Sequence, residues 1–222
     1  MLPTALAVMA RYPTIGVVKT RLATAISAER ASALYRAFLL DLEARFHTGP
    51  RTLVWAFFPA ESDFASLVKP GAHCLPQRGE NLGQRMRNCF AALLHGGFEQ
   101  VLMIGVDVPH VRNEWLDEAE DALARNDIVL GPTADGGYYL VAMHEPHDVF
   151  TGVPMSTGET ATQTIRKAEA AGLRVHLLPR SFDIDERHDL ARLRALLKQS
   201  DTALRLPHTA ALLQGWGQES DN

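Results

Sequence analysis

A chain of 222 residues with 46% hydrophobic and 22% charged side chains has the composition of an ordinary globular core, and one domain spanning 1–222 is the expectation. Lys and Arg number 22 against 26 Asp and Glu, a formal charge of −4. That argues against a nucleic-acid polymer as the main partner, because binding a phosphate backbone needs a basic surplus on one face. A small anionic ligand held by a few local cations is compatible with it.

The two cysteines, Cys74 and Cys89, form no C-x-x-C pattern and no disulfide framework, which suits a reducing cytoplasm. The opening "MLPTALAVMA" lacks a basic segment before its short apolar run, so it reads as a first buried strand, Ala5 to Ala10, rather than a leader. No apolar run approaches the length of a membrane span, and no membrane partner is expected.

That strand runs into a loop punctuated by Pro13 and Gly16 whose next charges are Lys19 and Arg21. Ser27 is placed to cap a helix on which Ala31, Leu34, Tyr35, Phe38, Leu42 and Phe46 recur at helical spacing. Thr52 to Phe58 is a β-rich run, Glu61 to Val68 a short helix, and "AHCLPQ" a third strand. "NLGQRMRNCFAALLHGG" is a helix stopped by Gly96 and Gly97. Gln100 to Gly105 is a continuous apolar strand, as expected when both sheet faces are covered. The helix "NEWLDEAEDALA", the strands "DIVLG" and "GYYLVAM", and a helix ending at Gly172 follow. The strand "RVHLLP" and the helix "ERHDLARLRALLKQ" come last, before a short, weakly patterned tail at about 203–222. Strand–helix alternation predicts a doubly wound α/β sheet, mostly parallel and mixed where the "DGGYYL" strand enters.

In such sheets ligands bind beyond the carboxyl ends of the strands. Four segments fall there. "GVDVPH" carries Asp107, "GPTADGGYY" carries Asp135 before Gly136 and Gly137, "FDIDERHDL" carries Asp183, Asp185 and Asp189, and the opening loop carries Lys19 and Arg21. Carboxylates facing cations across a crevice suit a Mg²⁺–phosphate ligand, with hard oxygens on the metal and Lys and Arg on the phosphates. The opening loop then reads as a phosphate clamp. Each feature also has a structural reading. The cations would be solvated loop charges, Asp107 and the glycine pair turn formers, and Asp185 and Asp189 helix-start residues.

"VKTRL", "NLGQRM", "GVDVP", "DGGYYL", Ser156-Thr157 and "DIDERHDL", in this order, resemble the bacterial DUF2064 family, transferases associated with radical-SAM and selenoprotein systems. That family lies within the nucleotide-diphospho-sugar transferase (GT-A) superfamily, and the likeness runs from the first strand to about Leu197. Lys19 to Asp41 is also similar to phospholactate guanylyltransferase. The resemblance implies a Rossmann-like GT-A fold and a metal-dependent transferase with Mg²⁺ or Mn²⁺. Its nucleotide donor would contact Arg11, Lys19, Arg21, Leu82, Gly83 and Asp107. Asp107, Asp135 and Lys19 would be catalytic, Asp107 and Asp185 would hold the metal, and Gly136, Gly137 and Tyr138 would line the acceptor side. Two departures leave the reaction open: only Gly16 precedes the cations where nucleotidylyltransferases carry G-x-G-x-R, and Val108-Pro109 follows Asp107 where glycosyltransferases carry D-x-D. Glycosyl transfer from a nucleotide-sugar to a small acceptor is the leading expectation. Guanylyltransferase-like nucleotidyl transfer and a non-catalytic nucleotide-binding protein are the alternatives.

Overall fold

A computed structural model describes residues 3–219. One sheet of seven strands runs in the order β3-β2-β1-β4-β6-β5-β7. Its strands are β1 (Thr4–Arg11), β2 (Thr52–Phe58), β3 (His73–Pro76), β4 (Gln100–Gly105), β5 (Ile128–Pro132), β6 (Tyr138–Met143) and β7 (Val175–Leu177). Strand β6 is antiparallel to both β4 and β5, and every other pairing is parallel. The α/β, Rossmann-like, mixed but mostly parallel sheet is the one expected. Because β6 runs backwards, its first residue, Tyr138, lies at the same sheet edge as the carboxyl ends of the others.

The central strand shows why helices cover both faces. Along β1, Leu6, Val8 and Ala10 belong to one apolar cluster while Ala5 and Ala7 belong to the other, the period-two alternation of a strand buried on both sides. Helix α2 (Ala28–Phe46) places Leu34, Phe38 and Leu42 in the first cluster, against Trp55 and Phe57 of β2. Helix α3 (Leu82–His95) places Met86, Cys89 and Phe90 in the second, where the small Ala5 and Ala7 let it approach. The remaining helices on the sheet are α4 (Asn113–Leu123), α5 (Thr160–Ala170) and α6 (Arg187–Leu197).

Three segments differ from expectation. Residues read as loop form α1 (Thr20–Ile26), a short helix anchored by the fully buried Leu22. The short helix expected over Glu61 to Val68 is a single 3₁₀ turn, Phe64–Leu67. The weakly patterned tail is helical: α7 (Ser200–Arg205) is followed by α8 (Pro207–Glu219), and only 220–222 lie outside the described residues. Helix α8 begins with Pro at its first position, and its amino end is capped from a distance. The Asp41 carboxylate accepts from His208 N (2.8 Å), Thr209 N (3.0 Å) and Thr209 Oγ1 (2.6 Å). Asp41 is fully buried on α2, and burial raises its pKa although the three hydrogen bonds oppose this.

Candidate active site at the carboxyl edge of the sheet

The strand ends converge on a cavity of about 490 Å³. Arg11 ends β1, Lys19 and Arg21 flank the start of α1, Asp107 follows β4, and Asp135 with Gly137 and Tyr138 lies between β5 and β6. Asp183 and Asp185 come from the segment after β7, Leu82 from the first turn of α3, and Ser156 and Thr157 from the loop before α5. Side chains scattered over more than 170 residues meet here because most follow, or begin, a strand at the same edge, while Ser156 and Thr157 come from the loop before α5.

Lys19 is not an open phosphate clamp. Its side chain is 1% exposed, and the ammonium pairs with Asp107 Oδ1, donates to the Ile184 carbonyl, and lies 3.8 Å from Asp185 Oδ1. The Ile184 amide donates in turn to the Asp107 carbonyl at 2.9 Å. Lys19 therefore ties three loops together from beneath and cancels part of their negative charge. A buried ammonium needs such partners, since burial without them is strongly unfavourable. Its backbone is left-handed, φ 53°, as is that of Ser156, φ 61°, which also lines the cavity. Non-glycine residues held in this region commonly mark sites where geometry is enforced by the surroundings.

The acids stand at different levels. Asp107 and Asp185 are about two-fifths exposed on their side chains and both line the cavity; Asp185 Oδ1 faces Lys19, and its Oδ2 accepts from Arg21 at 3.3 Å. Burial raises the Asp185 pKa, Lys19 opposes it, and Asp107 adds to it. Asp183 is more perturbed. Burial first, then Asp107 and Asp135, push it up to about 7, and its Oδ1 is buried with no hydrogen-bond partner. Asp135 Oδ1 is engaged by the Thr133 hydroxyl and the Gly137 amide, so Asp135 builds its own turn and also lines the cavity.

Among the described residues, no three His, Cys, Asp or Glu side chains are grouped to hold a metal by themselves. The pair Asp107 and Asp185 nevertheless suits Mg²⁺ or Mn²⁺. Magnesium commonly takes one or two carboxylates and completes its shell with water and substrate phosphates.

Two glycines do not have the expected role. Gly136 (φ +89°) is outside the cavity lining, and a Cβ there would lie 1.9 Å from the Gly158 carbonyl oxygen. It is a packing point between the β5–β6 turn and the loop before α5. Gly83 is buried against Phe150 and Met155 rather than lining the cavity, whereas its neighbour Leu82 does line it. Tyr138 reaches the wall with its hydroxyl near Met155 Sδ (3.5 Å) and Met86 Sδ (3.8 Å).

Sequence reasoning missed Arg85. Its guanidinium lies 4.0 Å over the Phe58 ring, which Arg11 also approaches at 5.4 Å. Neither arginine forms an ion pair among the described residues. Burial first, and then Arg11, lower the Arg85 pKa. Arg11 lines the cavity, and Arg85, outside its lining, adds a second cation at the same ring, which makes the β1–β2 side electropositive. Arg21 forms the other rim, 62% exposed on its side chain and 3.3 Å from Asp185 Oδ2. The signal for Arg85 lay in the Asn81-capped start of α3, which brings the helix N-terminus to the same edge.

A second cavity of about 210 Å³ shares Arg21, Asp135, Asp183 and Asp185 with the first and adds Phe182, His188 and Arg192. The acid cluster is thus the common wall of two chambers.

The family profile described as "Uncharacterized protein conserved in bacteria (DUF2064)" matches residues 39–157, just over half of the 222. The chain belongs to this family. A crystal structure of a "putative nucleotide-diphospho-sugar transferase" from Desulfovibrio desulfuricans G20 is 30% identical, with a TM-score of 0.89 over 97% of this chain and 95% of that one. More distant likenesses share the fold. A cytidylyltransferase from Leptospira borgpetersenii serovar Hardjo-bovis (strain JB197) is 12% identical, with a TM-score of 0.57 over 100% of this chain and 96% of that one. CMP:2-keto-3-deoxy-manno-octonic acid synthetase, solved with CTP, is 12% identical, with a TM-score of 0.56 over 89% and 99%. No curated protein matches the DUF2064 chain. The Desulfovibrio structure matches 97% of the chain, well beyond the residues 39–157 that the profile covers. No helix among the described residues is long and apolar enough to cross a membrane.

Proposed function

We propose that this DUF2064 protein is a transferase that takes a nucleotide-sugar as donor and passes the sugar to a small acceptor. The observation that carries the reading is the two-chambered cleft at the carboxyl edge of the sheet, with Asp135, Asp183 and Asp185 as its dividing wall, Asp107 on the larger chamber, and Arg11 and Arg21 in its lining. The likeness to the nucleotide-diphospho-sugar transferase structure from Desulfovibrio supports the same substrate class.

In this reading the larger chamber holds the donor, whose diphosphate meets Arg21 on one rim and Arg11 and Arg85 on the other. The exposed Leu82 and Val17 give the base an apolar rest. Asp107 and Asp185 would hold a divalent ion, which when bound would offset negative charge on the leaving diphosphate. Lys19 is a positioning residue: it holds the two carboxylates in place. Asp183 titrates near neutrality and lines both chambers, so its carboxylate can accept the proton of an acceptor hydroxyl at neutral pH. The acceptor approaches through the smaller chamber.

A second reading, nucleotidyl transfer from a nucleoside triphosphate, is favoured by one observation, the Arg11–Arg85 pair, which suits a longer phosphate chain. The leaving groups separate the two. The protein is incubated with Mg²⁺ and panels of nucleotide-sugars and of nucleoside triphosphates, with sugar alcohols and sugar phosphates as acceptors. Release of nucleoside diphosphate from a nucleotide-sugar is the expected result. Release of pyrophosphate from a triphosphate establishes the second reading instead, and turnover of neither panel contradicts both.

A further inference from the structure

Phe182 and Arg192, at the end of the smaller chamber, also line a separate cavity of about 480 Å³ between α4, α6, α7 and the segment before Asp183. Arg112, Arg180, Arg192 and Arg205 surround it, and Asp201 is the one carboxylate in its lining. On a chain of net charge −4 this is a local excess of positive charge. The existing partners do not cancel it. Arg205 is 2.9 Å from Asp201 and Arg112 is 3.3 Å from Glu114. Arg192 lies 3.8 Å from Asp189, whose carboxylate already accepts from the Asp185 and Glu186 amides. Arg180 is exposed and forms no ion pair among the described residues.

The wall also holds a prepared neutral group. His110 is 6% exposed, its Nε2 lies 3.3 Å from Ser181 Oγ, and its Nδ1 is buried with no partner. Burial first, then Arg45, Arg205 and Arg192, hold its pKa down to about 3, so the ring is uncharged at neutral pH. A neutral imidazole has one donor nitrogen and one acceptor. When the Ser181 hydroxyl donates to Nε2, the buried Nδ1–H is left without a protein partner, and the ring stands as an uncharged part of the cavity wall. The Arg192 guanidinium lies 3.8 Å over the Phe182 ring, which fixes its plane.

We propose that this cavity binds the phosphate group of a small phosphorylated molecule, through Arg180 and Arg192 and against the His110–Ser181 wall, at a site separate from the nucleotide cleft. Converging guanidiniums favour a multi-oxygen anion. The volume exceeds that of a bare ion, and Trp115 and Phe182 offer apolar surface to the organic part. The inference stands independently of the donor assignment.

Titration calorimetry with inorganic phosphate and with glycerol 3-phosphate, in metal-free buffer with a chelator, tests it, with glycerol as the control. Both phosphates should bind saturably with one site and glycerol should not. Arg180→Gln and Arg192→Gln should each weaken binding about tenfold, the scale of one charge-assisted contact. Arg21→Gln should leave it unchanged, and the His110 ring nitrogen resonances should move on titration. Circular dichroism confirms folding, and Arg192→Lys, which keeps the charge, supplies a second variant. Absence of saturable binding overturns the proposal. So does binding that Arg21→Gln abolishes while Arg180→Gln leaves it intact.

Discussion

The Lys19 ammonium is paired with the Asp107 carboxylate beneath the cleft, and the same ammonium holds the Ile184 carbonyl of the neighbouring loop. A cation that reads in sequence as a ligand contact is a keystone of the site. Lys19→Ala leaves Asp107 without its ammonium partner and Asp185 with Arg21 alone, at 3.3 Å. A loss on the order of 2–3 kcal/mol is expected, below the range for a fully buried pair because Asp107 is partly solvated. Denaturant melts of Lys19→Ala, Asp107→Ala and the double variant check it. The double variant should lose much less than the sum of the two single losses.

Asp183 makes stability depend on pH in a definite direction. Its folded pKa is raised to about 7, whereas an unfolded aspartate titrates near 3.9, so the unfolded chain gives up this proton first. The contribution of this group is fully present below about pH 4 and is lost as pH rises toward 7. Asp183→Asn should therefore gain on the order of 1–3 kcal/mol over the parent at pH 8 and little at pH 4. Equal shifts at both pH values contradict the assignment. The same variant should also slow turnover at neutral pH, as expected of a lost proton acceptor.

Gly136→Ala should unfold or severely destabilise the protein. The new methyl would sit 1.9 Å from a backbone oxygen, on a residue whose φ is +89°. Gly137→Ala meets only Thr133 Oγ1 at 3.0 Å and Asp135 Oδ1 at 3.4 Å, and should cost about 1 kcal/mol. Thermal melts of the two variants separate these outcomes. Similar melting temperatures would show that the loop before α5 can move away.

Arg21→Ala removes an exposed side chain whose one ion pair, to Asp185 at 3.3 Å, is mostly solvated. Its melting temperature should match the parent within experimental error, since such pairs contribute about 0–1 kcal/mol. Donor affinity should fall about tenfold, the loss of one charge-assisted contact to phosphate. A melting shift without an affinity change would make Arg21 a structural residue.

The strands were legible because a buried parallel sheet writes itself as short apolar runs, and β1, β2 and β4 follow this rule closely. Asp107, Asp135 and Asp185 were legible for a related reason: each comes just after such a run, and strand ends share one edge. What the sequence hid depends on distant partners. Helix α8 is capped by Asp41, 167 residues away. Lys19 finds Ile184 and Asp107, and Gly136 is required by the carbonyl of Gly158. Local periodicity carries none of these. Arg85 escaped because an arginine on a helix reads as solvent-facing until the ring beneath it, Phe58, is known.

The central claim is that Asp107 and Asp185 form a divalent-ion site that recruits a nucleotide to this cleft. Calorimetric titration of nucleoside diphosphates into the parent and into Asp107→Asn, each with and without Mg²⁺, tests it most directly. The parent should bind at least one nucleotide about tenfold more tightly with Mg²⁺, a gain of about 1.4 kcal/mol, and Asp107→Asn should bind equally weakly under both conditions while staying folded. Nucleotide binding that is indifferent to Mg²⁺ in the parent, or that keeps its full Mg²⁺ dependence in Asp107→Asn, would contradict the account.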